Sequence, residues 1–331
     1  MLKKSVKLIK IIILIGIIIL IVWLYQADFG KNKNVEYGVT FSQKYAEELN
    51  LDWQEVYGGI LNDLNVKKIR LVAHWDLIEK VRGQYNFNDL DWAVNQAGLN
   101  QAQIILAIGH RVPRWPECHW PDWSFKLSKS EREQQIFNLL TAIVNRYKDS
   151  PTIIAWQVEN EPFLKIFGEC PKPDMDFYKK EIELVRFLDN RPITITESGE
   201  LSTWLRASNL ANQVGVSIYR ITWNKSLGYF YYPLPPAYYY FKSWLIKRLT
   251  PVKDIYISEM QMEPWLSMKV LYTPLSDQYH SMDIFKFYKN YLYANKTGLS
   301  PIYFWGAEWW YWLKEQGDSS IWNVAREIWK S

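Results

Sequence analysis

Two glutamates follow short apolar segments in this sequence, where carboxyl groups can do acid–base or nucleophilic chemistry. The segment Ile153–Val158 is followed by Glu161 and Pro162, and the segment Ile255–Ser258 is followed by Glu259. Two neighbouring carboxyl groups suppress each other's ionisation, so that one can donate a proton while the other is an anion. Proline disfavours helix at the preceding residue, which predicts an extended Glu161 at the end of its segment. Glu161 and Glu259 are therefore the candidate catalytic pair.

These acids can meet only if the fold brings several strand ends together. From residue 36 onward, short apolar runs alternate with amphipathic segments of about 10 to 20 residues, a pattern typical of parallel strands with crossover helices. The runs predicted as strands are Glu36–Ser42, Lys68–Trp75, Ala102–Gly109, Ile153–Asn160, Ile193–Glu197, Gln213–Tyr219, Asp254–Glu259 and Ser300–Trp305. The segments predicted as helices are Trp53–Leu64, Leu90–Leu99, Glu131–Tyr147, Asp174–Leu188, Leu201–Leu210, Tyr238–Leu249, Gln278–Ala294 and Ser319–Lys330. Eight such units predict an α/β fold, a single-domain (β/α)8 TIM barrel over residues 36–331.

In such a barrel the functional site lies at the carboxyl ends of the strands, and long connections line it. The predicted strand ends bring together Ser42, Trp75, Asp76, His110, Arg111, Asn160, Glu161, Glu197, Tyr219, Glu259 and Trp305. Long connections follow the third, fourth and sixth strands, at residues 111–129, 163–173 and 220–236. An alternative for each acid is a hydrogen bond to a neighbouring loop that has no catalytic purpose. Glu159 has the opposite strand parity to Asn160 and is expected to face the helices, and Glu263 is the alternative nucleophile.

Several motifs in this order resemble glycoside hydrolases of clan A, most nearly the cellulase-like family 5, with some similarity to families 39 and 42. Asn160-Glu161-Pro162 resembles the fourth-strand signature of the clan, and Ile257-Ser258-Glu259 resembles its seventh-strand nucleophile. Arg70 matches the basic residue of the second strand. Further matches to the clan are Trp75, Glu79, Gly83, Tyr85, Phe87, Leu90, Asp91, Tyr147, Lys148, Asp149, Pro151 and Trp156. One departure is Ser217, two residues before the sixth-strand Tyr219, where many family 5 enzymes have His.

The resemblance implies a retaining glycoside hydrolase that cleaves β-glycosidic bonds by double displacement. In that mechanism Glu161 is the acid/base and Glu259 is the nucleophile. The other expected site residues are Arg70 and Tyr219 beside the nucleophile, Asn160 at the sugar 2-hydroxyl, Trp305 under the reacting sugar, and His110, Trp115, Trp265 and Glu308 around it. Two alternatives would use the same cleft: a non-catalytic glycan-binding barrel, and a transglycosylase.

Aromatic residues are unusually frequent, with 18 Trp, 22 Tyr and 14 Phe, or 16% of the chain. Flat rings bind the C–H faces of sugars, so some of these side chains are expected to face a ligand. Tryptophans in the predicted site-side loops are Trp115, Trp120, Trp123, Trp265, Trp309, Trp310 and Trp312. The aromatic stretch 229–241 could form the wall of a subsite or could rest on a nearby bilayer, and its sequence leaves both open.

The N-terminus begins with lysines and continues with an uncharged run, Ile11–Leu24. The run has no small-residue cleavage site, and Trp23 and Tyr25 suit the headgroup level of a bilayer. This favours an uncleaved signal anchor over residues 1–25, with the N-terminus cytoplasmic, although a cleaved signal peptide has a similar layout. Residues 26–35 are then a linker that reaches at most roughly 35 Å, and the barrel is outside the cytoplasm with the lipid bilayer as a partner.

Charge and cysteine content indicate which kinds of ligand and which cellular compartment suit this chain. The formal net charge is +4, and four lysines at positions 3, 4, 7 and 10 account for it, so the rest of the chain lacks the basic surface of a nucleic-acid binder. Cys118 and Cys170 lie in loop-like segments and suit a disulfide in an oxidising compartment, although two unpaired thiols are the alternative. The His and Cys spacing does not indicate a metal site. We expect no cofactor, and a carbohydrate as the substrate.

Overall fold

Ten strands are present in the computed structural model of the protein, which describes residues 2–330. They are β1 (Tyr37–Phe41), β2 (Lys68–Val72), β3 (Gln103–Ile108), β4 (Ile153–Val158), β5 (Ile193–Ser198), β6 (Gln213–Ile218), β7 (Ile221–Asn224), β8 (Gly228–Tyr231), β9 (Asp254–Gln261) and β10 (Ile302–Trp305). Eight of them form a closed parallel barrel in the order β1-β10-β9-β6-β5-β4-β3-β2, and β7 pairs with β8 as an antiparallel hairpin. The (β/α)8 TIM barrel expected from the sequence is confirmed. Met1 and Ser331, the outermost residues of the predicted domains, lie outside the described residues.

Helices surround this barrel and precede it. They are α1 (Leu2–Gln26), α2 (Gln43–Glu48), α3 (Trp53–Gly58), α4 (Trp75–Ile78), α5 (Asn88–Leu99), α6 (Lys129–Tyr147), α7 (Met175–Leu188), α8 (Leu205–Leu210), α9 (Pro236–Leu249), α10 (Leu275–Gln278), α11 (Ile284–Lys296), α12 (Ala307–Glu315) and α13 (Ser320–Lys330). A π-helical turn, Gly59–Asp63, continues α3, and 3-10 turns span Asp122–Lys126 and Val270–Tyr272. Helix α6, the longest of the helices around the barrel, begins with a capping box in which Ser128 and Glu131 accept hydrogen bonds from each other's backbone amides.

The barrel interior is polar near the carboxyl ends of the strands and apolar further from them. Ile105, Ala155, Tyr256 and Tyr303 form a buried cluster inside the barrel, separate from the apolar layer between strands and helices. Closer to the carboxyl ends of the strands, the buried inward-facing side chains are polar, and Arg70 is completely buried there. The apolar cluster fills the barrel on the amino-terminal side of the polar layer. The polar layer therefore opens only towards the carboxyl ends of the strands.

A β-bulge in β9 aims Glu259 into the barrel. The register between β6 and β9 shifts by one residue between Val216 and Ser217, and Ser217 then pairs with Glu259. Such a bulge adds one residue to a strand and redirects the side chain that follows it. Ser258 packs against Gly215, where an added Cβ would lie 2.7 Å from the Ser258 Cβ. Glycine at position 215 therefore makes room for the bulge, which the sequence pattern did not predict.

Two predicted helices differ from the observed ones, and other observed elements were not predicted. The predicted helix Gln278–Ala294 is wrong as a single element, because α10 ends at Gln278 and Asp283 caps a new helix at its Lys286 amide. The predicted helix Leu201–Leu210 is shortened to α8, whose N-cap Trp204 has a left-handed backbone. The hairpin of β7 and β8 and helix α12 were not predicted.

Helix α1 extends apolar side chains into open space. Within it, Ile9–Gln26 has a mean hydropathy of 2.6, and none of these residues is buried. By length and composition this helix could cross a bilayer, although a signal sequence has the same character.

Candidate active site

Glu259 is buried at the carboxyl end of β9 and is held by two donors. Arg70 Nη1 donates to its Oε1 at 2.7 Å, and the Tyr219 hydroxyl donates to its Oε2 at 2.8 Å. Burial and the nearby Glu259 carboxylate raise the pKa of Tyr219, so that the hydroxyl keeps its proton at neutral pH. The two donors stabilise the ionised carboxylate and fix its direction.

The Arg70 guanidinium also bonds side chains at the carboxyl end of β4, which is separated from β2 by β3 alone. Its Nε donates to Gln157 Oε1 at 2.6 Å, and its Nη2 donates to Asn160 Oδ1 at 2.7 Å. Nη1 lies 3.4 Å from the Thr40 hydroxyl as well. A fully buried cation is tolerated because each guanidinium nitrogen of Arg70 has an acceptor and Glu259 supplies the opposite charge.

Asn160 is oriented by bonds on both sides of its amide. Its Oδ1 also accepts from the Thr196 hydroxyl at 2.9 Å, and its Nδ2 donates to Glu117 Oε2 at 2.8 Å. Burial raises the pKa of Glu117 to about 7, and the Glu259 charge acts in the same direction against the effect of Arg111. Glu117 is thus a third carboxyl group at the site. The sequence placed it in a loop expected to line the site but did not single it out.

Glu161 is buried in an environment opposite to that of Glu259. The Ser217 hydroxyl donates to its Oε1 at 2.6 Å, and its backbone amide donates to the Thr196 hydroxyl at 3.0 Å. Burial and the Glu259 charge raise the pKa of Glu161 well above its usual value, and the bond from Ser217 only partly opposes them. Glu161 is therefore protonated at pH values where a typical glutamate is ionised, as a proton donor must be.

The backbone at Glu161 is not extended, so that prediction is wrong. Its φ is 40°, in the left-handed region that non-glycine residues seldom adopt, and Glu159 has a φ of 59°. The bonds of Glu161 to Thr196 and Ser217 hold this conformation against the local preference imposed by Pro162. The turn nevertheless presents the carboxyl group at the strand tip.

Arg114 lies in a stack of aromatic rings beside the pair. Its guanidinium carbon is 3.6 Å from the Tyr45 ring centroid and 4.0 Å from that of Trp305. It forms an ion pair with Glu263 and another, at 3.2 Å, with Glu308. Burial and the Glu263 charge raise the pKa of Glu308 to about 6, although Arg114 opposes this. Glu263, the alternative nucleophile, is therefore engaged with a different cation from the one that holds Glu259.

This geometry agrees with a match to a known family. The family model described as Cellulase (glycosyl hydrolase family 5) matches residues 40–221, which is more than half of the chain. The chain belongs to glycosyl hydrolase family 5. The match includes β4 with its Asn160-Glu161-Pro162 sequence and ends just after Tyr219.

Among curated proteins, this family 5 chain is similar to the β-galactosidase BgaA of Clostridium cellulovorans. The two are 22% identical over 181 residues, which covers 48% of this chain and 27% of that protein. The chain thus spans about a quarter of the length of that relative.

Solved structures share the fold. A GH5_18 protein from Bifidobacterium longum subsp. longum, solved in complex with Manβ1-4GlcNAc, superimposes with a TM-score of 0.59 at 9% identity, covering 82% of this chain and 68% of that one. A β-galactosidase from the haloarchaeon Halorubrum lacusprofundi gives 0.53 at 14% identity, covering 82% of this chain and 52% of that one.

An aromatic row extends from the family 5 site to its rim. Trp265 contacts the Tyr219 ring edge-on at a centroid distance of 5.0 Å, Phe167 follows at 5.6 Å, and Trp115 lies 5.7 Å beyond Phe167. Trp115 is 57% exposed. The predicted residues Trp115 and Trp265 thus lie on one edge of the mouth, joined by Phe167, which the sequence did not single out.

The other loop tryptophans serve the interior. Trp309, Trp310 and Trp312 were expected in a site-side loop, but they lie on α12 and are buried. Trp123 donates to the Glu79 carbonyl at 2.8 Å, and Trp120 packs on His110 at a centroid distance of 4.6 Å. Their apolar area stabilises the loops around the mouth rather than its open surface.

His110 lies on the flank of the site. Its Nδ1 is 2.9 Å from Glu159 Oε1, and the backbone amides of His110 and Arg111 donate to the same carboxylate. Glu159 therefore faces the helices, where Glu181 of α7 lies beside it. A cavity of about 230 Å³ opens next to these side chains, between α6 and α7.

His110, Glu159 and Glu181 each offer one possible metal-ligand atom, all within 4.8 Å of one another. Burial and the Glu159 charge raise the pKa of Glu181. For Glu159, His110 and the other donors outweigh the effect of burial and lower the pKa. The raised pKa of Glu181 reduces its repulsion with Glu159, whose charge is offset by hydrogen bonds from His110 and Arg111.

A disulfide ties the loop after β3 to the loop after β4. Cys118 and Cys170 are bonded, with 52 residues of sequence separation. The loop that it secures carries Arg114, which forms an ion pair with Glu263, and Glu117, which accepts a hydrogen bond from the Asn160 amide.

Replacing both cysteines by serine is expected to lower the free energy of unfolding by roughly 4 kcal/mol, because the unfolded chain regains the entropy of an open loop. Activity should also fall at temperatures where the protein remains folded, since Arg114 and Glu117 lose their fixed positions. Thermal unfolding and initial rates of the double variant measure the two effects. An unchanged melting temperature together with unchanged activity would contradict both.

Proposed function

We propose that this chain is a retaining glycoside hydrolase that cleaves β-linked glycans by double displacement. The observation that carries the proposal is the pair of buried carboxyl groups with opposite environments. Glu259 has an arginine and a tyrosine as donors, whereas burial and the charge of Glu259 raise the pKa of Glu161. Retaining enzymes need one ionised and one protonated carboxyl group, and these two environments separate the roles.

In the first step, a Glu259 oxygen would attack the anomeric carbon as the bond to the leaving oxygen breaks. Glu161 would give its proton to that oxygen, and the sugar would remain as an ester on Glu259. In the second step, Glu161 would take a proton from water, whose oxygen attacks the anomeric carbon and releases Glu259. Arg70 and Tyr219 would stabilise the departing carboxylate, and the oriented Asn160 amide would bond the sugar 2-hydroxyl.

The reacting sugar would meet the stack of Tyr45, Arg114 and Trp305 rather than a bare indole ring. Arg114 covers Trp305, so the floor proposed for Trp305 includes the guanidinium. Within the described residues, the buried Arg114 Nε is a donor without a partner. A sugar hydroxyl can accept a hydrogen bond, so it would satisfy this atom. The rim residues Trp265 and Trp115 would stack on sugars further along the chain.

We further propose that the enzyme acts outside the cytoplasm from a membrane anchor. The lysine-rich start favours a cytoplasmic N-terminus for α1, and a barrel on the other side would enter an oxidising compartment. The disulfide Cys118–Cys170 suits such a compartment. The substrate would then be an extracytoplasmic poly- or oligosaccharide.

Proton NMR of an ongoing reaction with a panel of aryl β-glycosides tests the mechanism. We expect the β-anomer of the released sugar to form first, because two inversions restore the original configuration. Early appearance of the α-anomer would reject the retaining mechanism. Binding of glycans without cleavage would indicate a glycan-binding barrel, and transfer of the sugar to an added acceptor would indicate a transglycosylase.

A further inference from the structure

Helices α9 and α11 have apolar outward faces. On α9, Phe241, Trp244, Leu245 and Leu249 are 43% to 64% exposed. Their spacing of three and four residues places them in one stripe, opposite the buried side chains of the same helix.

Helix α11 has a similar stripe beside it. Phe285, Tyr288 and Leu292 are 42% to 76% exposed at spacings of three and four residues. Helix α6 provides a comparison within the same barrel, because its exposed side chains are all polar: Lys129, Ser130, Glu131, Gln134, Asn138, Asn145 and Arg146. The apolar surface of α9 and α11, which we call the α9–α11 face, is thus a feature of one side of the barrel. Contiguous exposed apolar surface of this kind marks a contact with a protein or a membrane.

The C-terminal end of α1, which we call the root of α1, lies against this same side of the barrel. The Tyr25 hydroxyl donates to the Pro233 carbonyl at 2.8 Å, just before α9 begins. Trp23 packs on Phe241 with a centroid distance of 6.4 Å, so the last turns of α1 touch the stripe on α9.

The chain that follows α1 runs between α9 and α11. Phe29 stacks on Tyr240 at 3.9 Å with the rings nearly parallel, and its amide donates to the Lys296 carbonyl at the end of α11. Lys33 then bonds the Gly298 carbonyl at 2.7 Å. The segment between α1 and the barrel is therefore held along its length, which fixes the orientation of the barrel relative to α1.

Cations accompany the apolar stripes. Lys247 and Arg248 on α9 and Lys289 on α11 are exposed, and the Arg248 guanidinium carbon lies 4.6 Å from the Trp244 ring centroid. Exposed tryptophan and tyrosine next to lysine and arginine suit the headgroup layer of a membrane, where rings bury their edges and cations meet lipid phosphates.

We propose that the α9–α11 face rests in the headgroup layer of the bilayer that α1 spans, so that the barrel is seated on the membrane rather than suspended from it. The proposal rests on the membrane anchor proposed above. The surface is continuous with the root of the anchor, and the short held segment leaves the barrel no freedom to turn another side towards the lipid. The contact would fix the distance of the barrel mouth from the membrane and select glycans within that reach.

The test uses the full chain reconstituted in vesicles of phosphatidylcholine and phosphatidylglycerol. Because Cys118 and Cys170 are bonded to each other, an introduced cysteine would be the free thiol for a bimane label. Leu249→Cys and Phe285→Cys report on the α9–α11 face. The matched controls are Leu99→Cys and Phe187→Cys, which replace exposed apolar residues at the ends of α5 and α7.

We expect lipids with a spin label near the headgroup to quench bimane at positions 249 and 285 and to leave it unquenched at positions 99 and 187. Carbonate extraction of the same vesicles reports on the anchor separately. Retention in the membrane with no quenching at 249 and 285, or equal quenching at all four positions, would overturn the seated barrel and leave the anchor standing. Quenching at 249 and 285 in a chain that carbonate releases would reject the anchor alone. Release without quenching would reject both.

Discussion

Glu259→Gln is expected to abolish turnover of every substrate, including aryl glycosides with activated leaving groups. The amide cannot form the glycosyl ester, and a good leaving group does not replace the missing nucleophile. Loss of a catalytic nucleophile typically costs about 10⁴-fold or more in kcat. The measurement is kcat on an activated aryl β-glycoside, with circular dichroism to confirm the fold, because the change leaves the buried Arg70 without its counter-charge.

Glu263→Gln is the matched control, because Glu263 is a buried acid four residues further along that pairs with Arg114 instead. This variant should keep a nucleophile and still form a covalent adduct with a fluorosugar inactivator. Mass spectrometry should place the adduct on Glu259 in both the unmodified chain and this variant. An adduct on Glu263, or turnover by Glu259→Gln, would show that the other carboxylate attacks.

Glu161→Gln is expected to lose natural glycans while it still turns over an activated aryl glycoside. Such a leaving group departs without a proton, whereas an ordinary sugar hydroxyl needs one, and general acid catalysis is worth about 10²- to 10⁴-fold. Azide should partly restore turnover because it attacks the glycosyl ester without a general base. The ratio of rates on the two substrate types, with and without azide, measures the effect.

The pH profile gives an independent test of Glu161. Its raised pKa means that the donor form persists to higher pH, and the rate falls only when the pH rises through that pKa. Glu161→Gln should therefore lack the basic limb. Ser217→Ala is the control that keeps the acid, and it should move the limb to higher pH because Ser217 stabilises the ionised form. A basic limb that persists in Glu161→Gln would assign it to another group.

The barrel and its strand ends could be predicted because they follow from local pattern. Apolar runs separated by amphipathic segments give the strands and helices, and the topology then places every strand end at one mouth. The strand-end rule brings together Asn160, Tyr219 and Glu259, whereas Arg70 was expected only from the resemblance to clan A. The structure joins all four side chains through direct hydrogen bonds.

The remaining features depend on contacts that no local pattern contains. The bulge at Ser258 depends on the missing side chain of Gly215 on the neighbouring strand. Arg114 and Glu117 reach the site because their loop is bonded to Cys170, far along the chain. Trp309 was assigned to a loop because α12 lies directly after a strand end, where site-side loops begin.

Arg70 has a consequence for how the molecule fails. It extends from β2 and bonds side chains of β1, β4 and β9, so a single guanidinium links four of the eight barrel strands. Separating β9 would leave the buried Arg70 charge without its counter-charge, and separating β1 or β4 would remove one of its hydrogen-bond acceptors. Partial opening of the barrel is therefore costly, and the strand pairs are expected to separate together. The hydrogen-bonded arrangement of the site side chains therefore exists only while the barrel is closed. On heating, we expect activity and global structure to vanish in one cooperative event, with no inactive folded species between them.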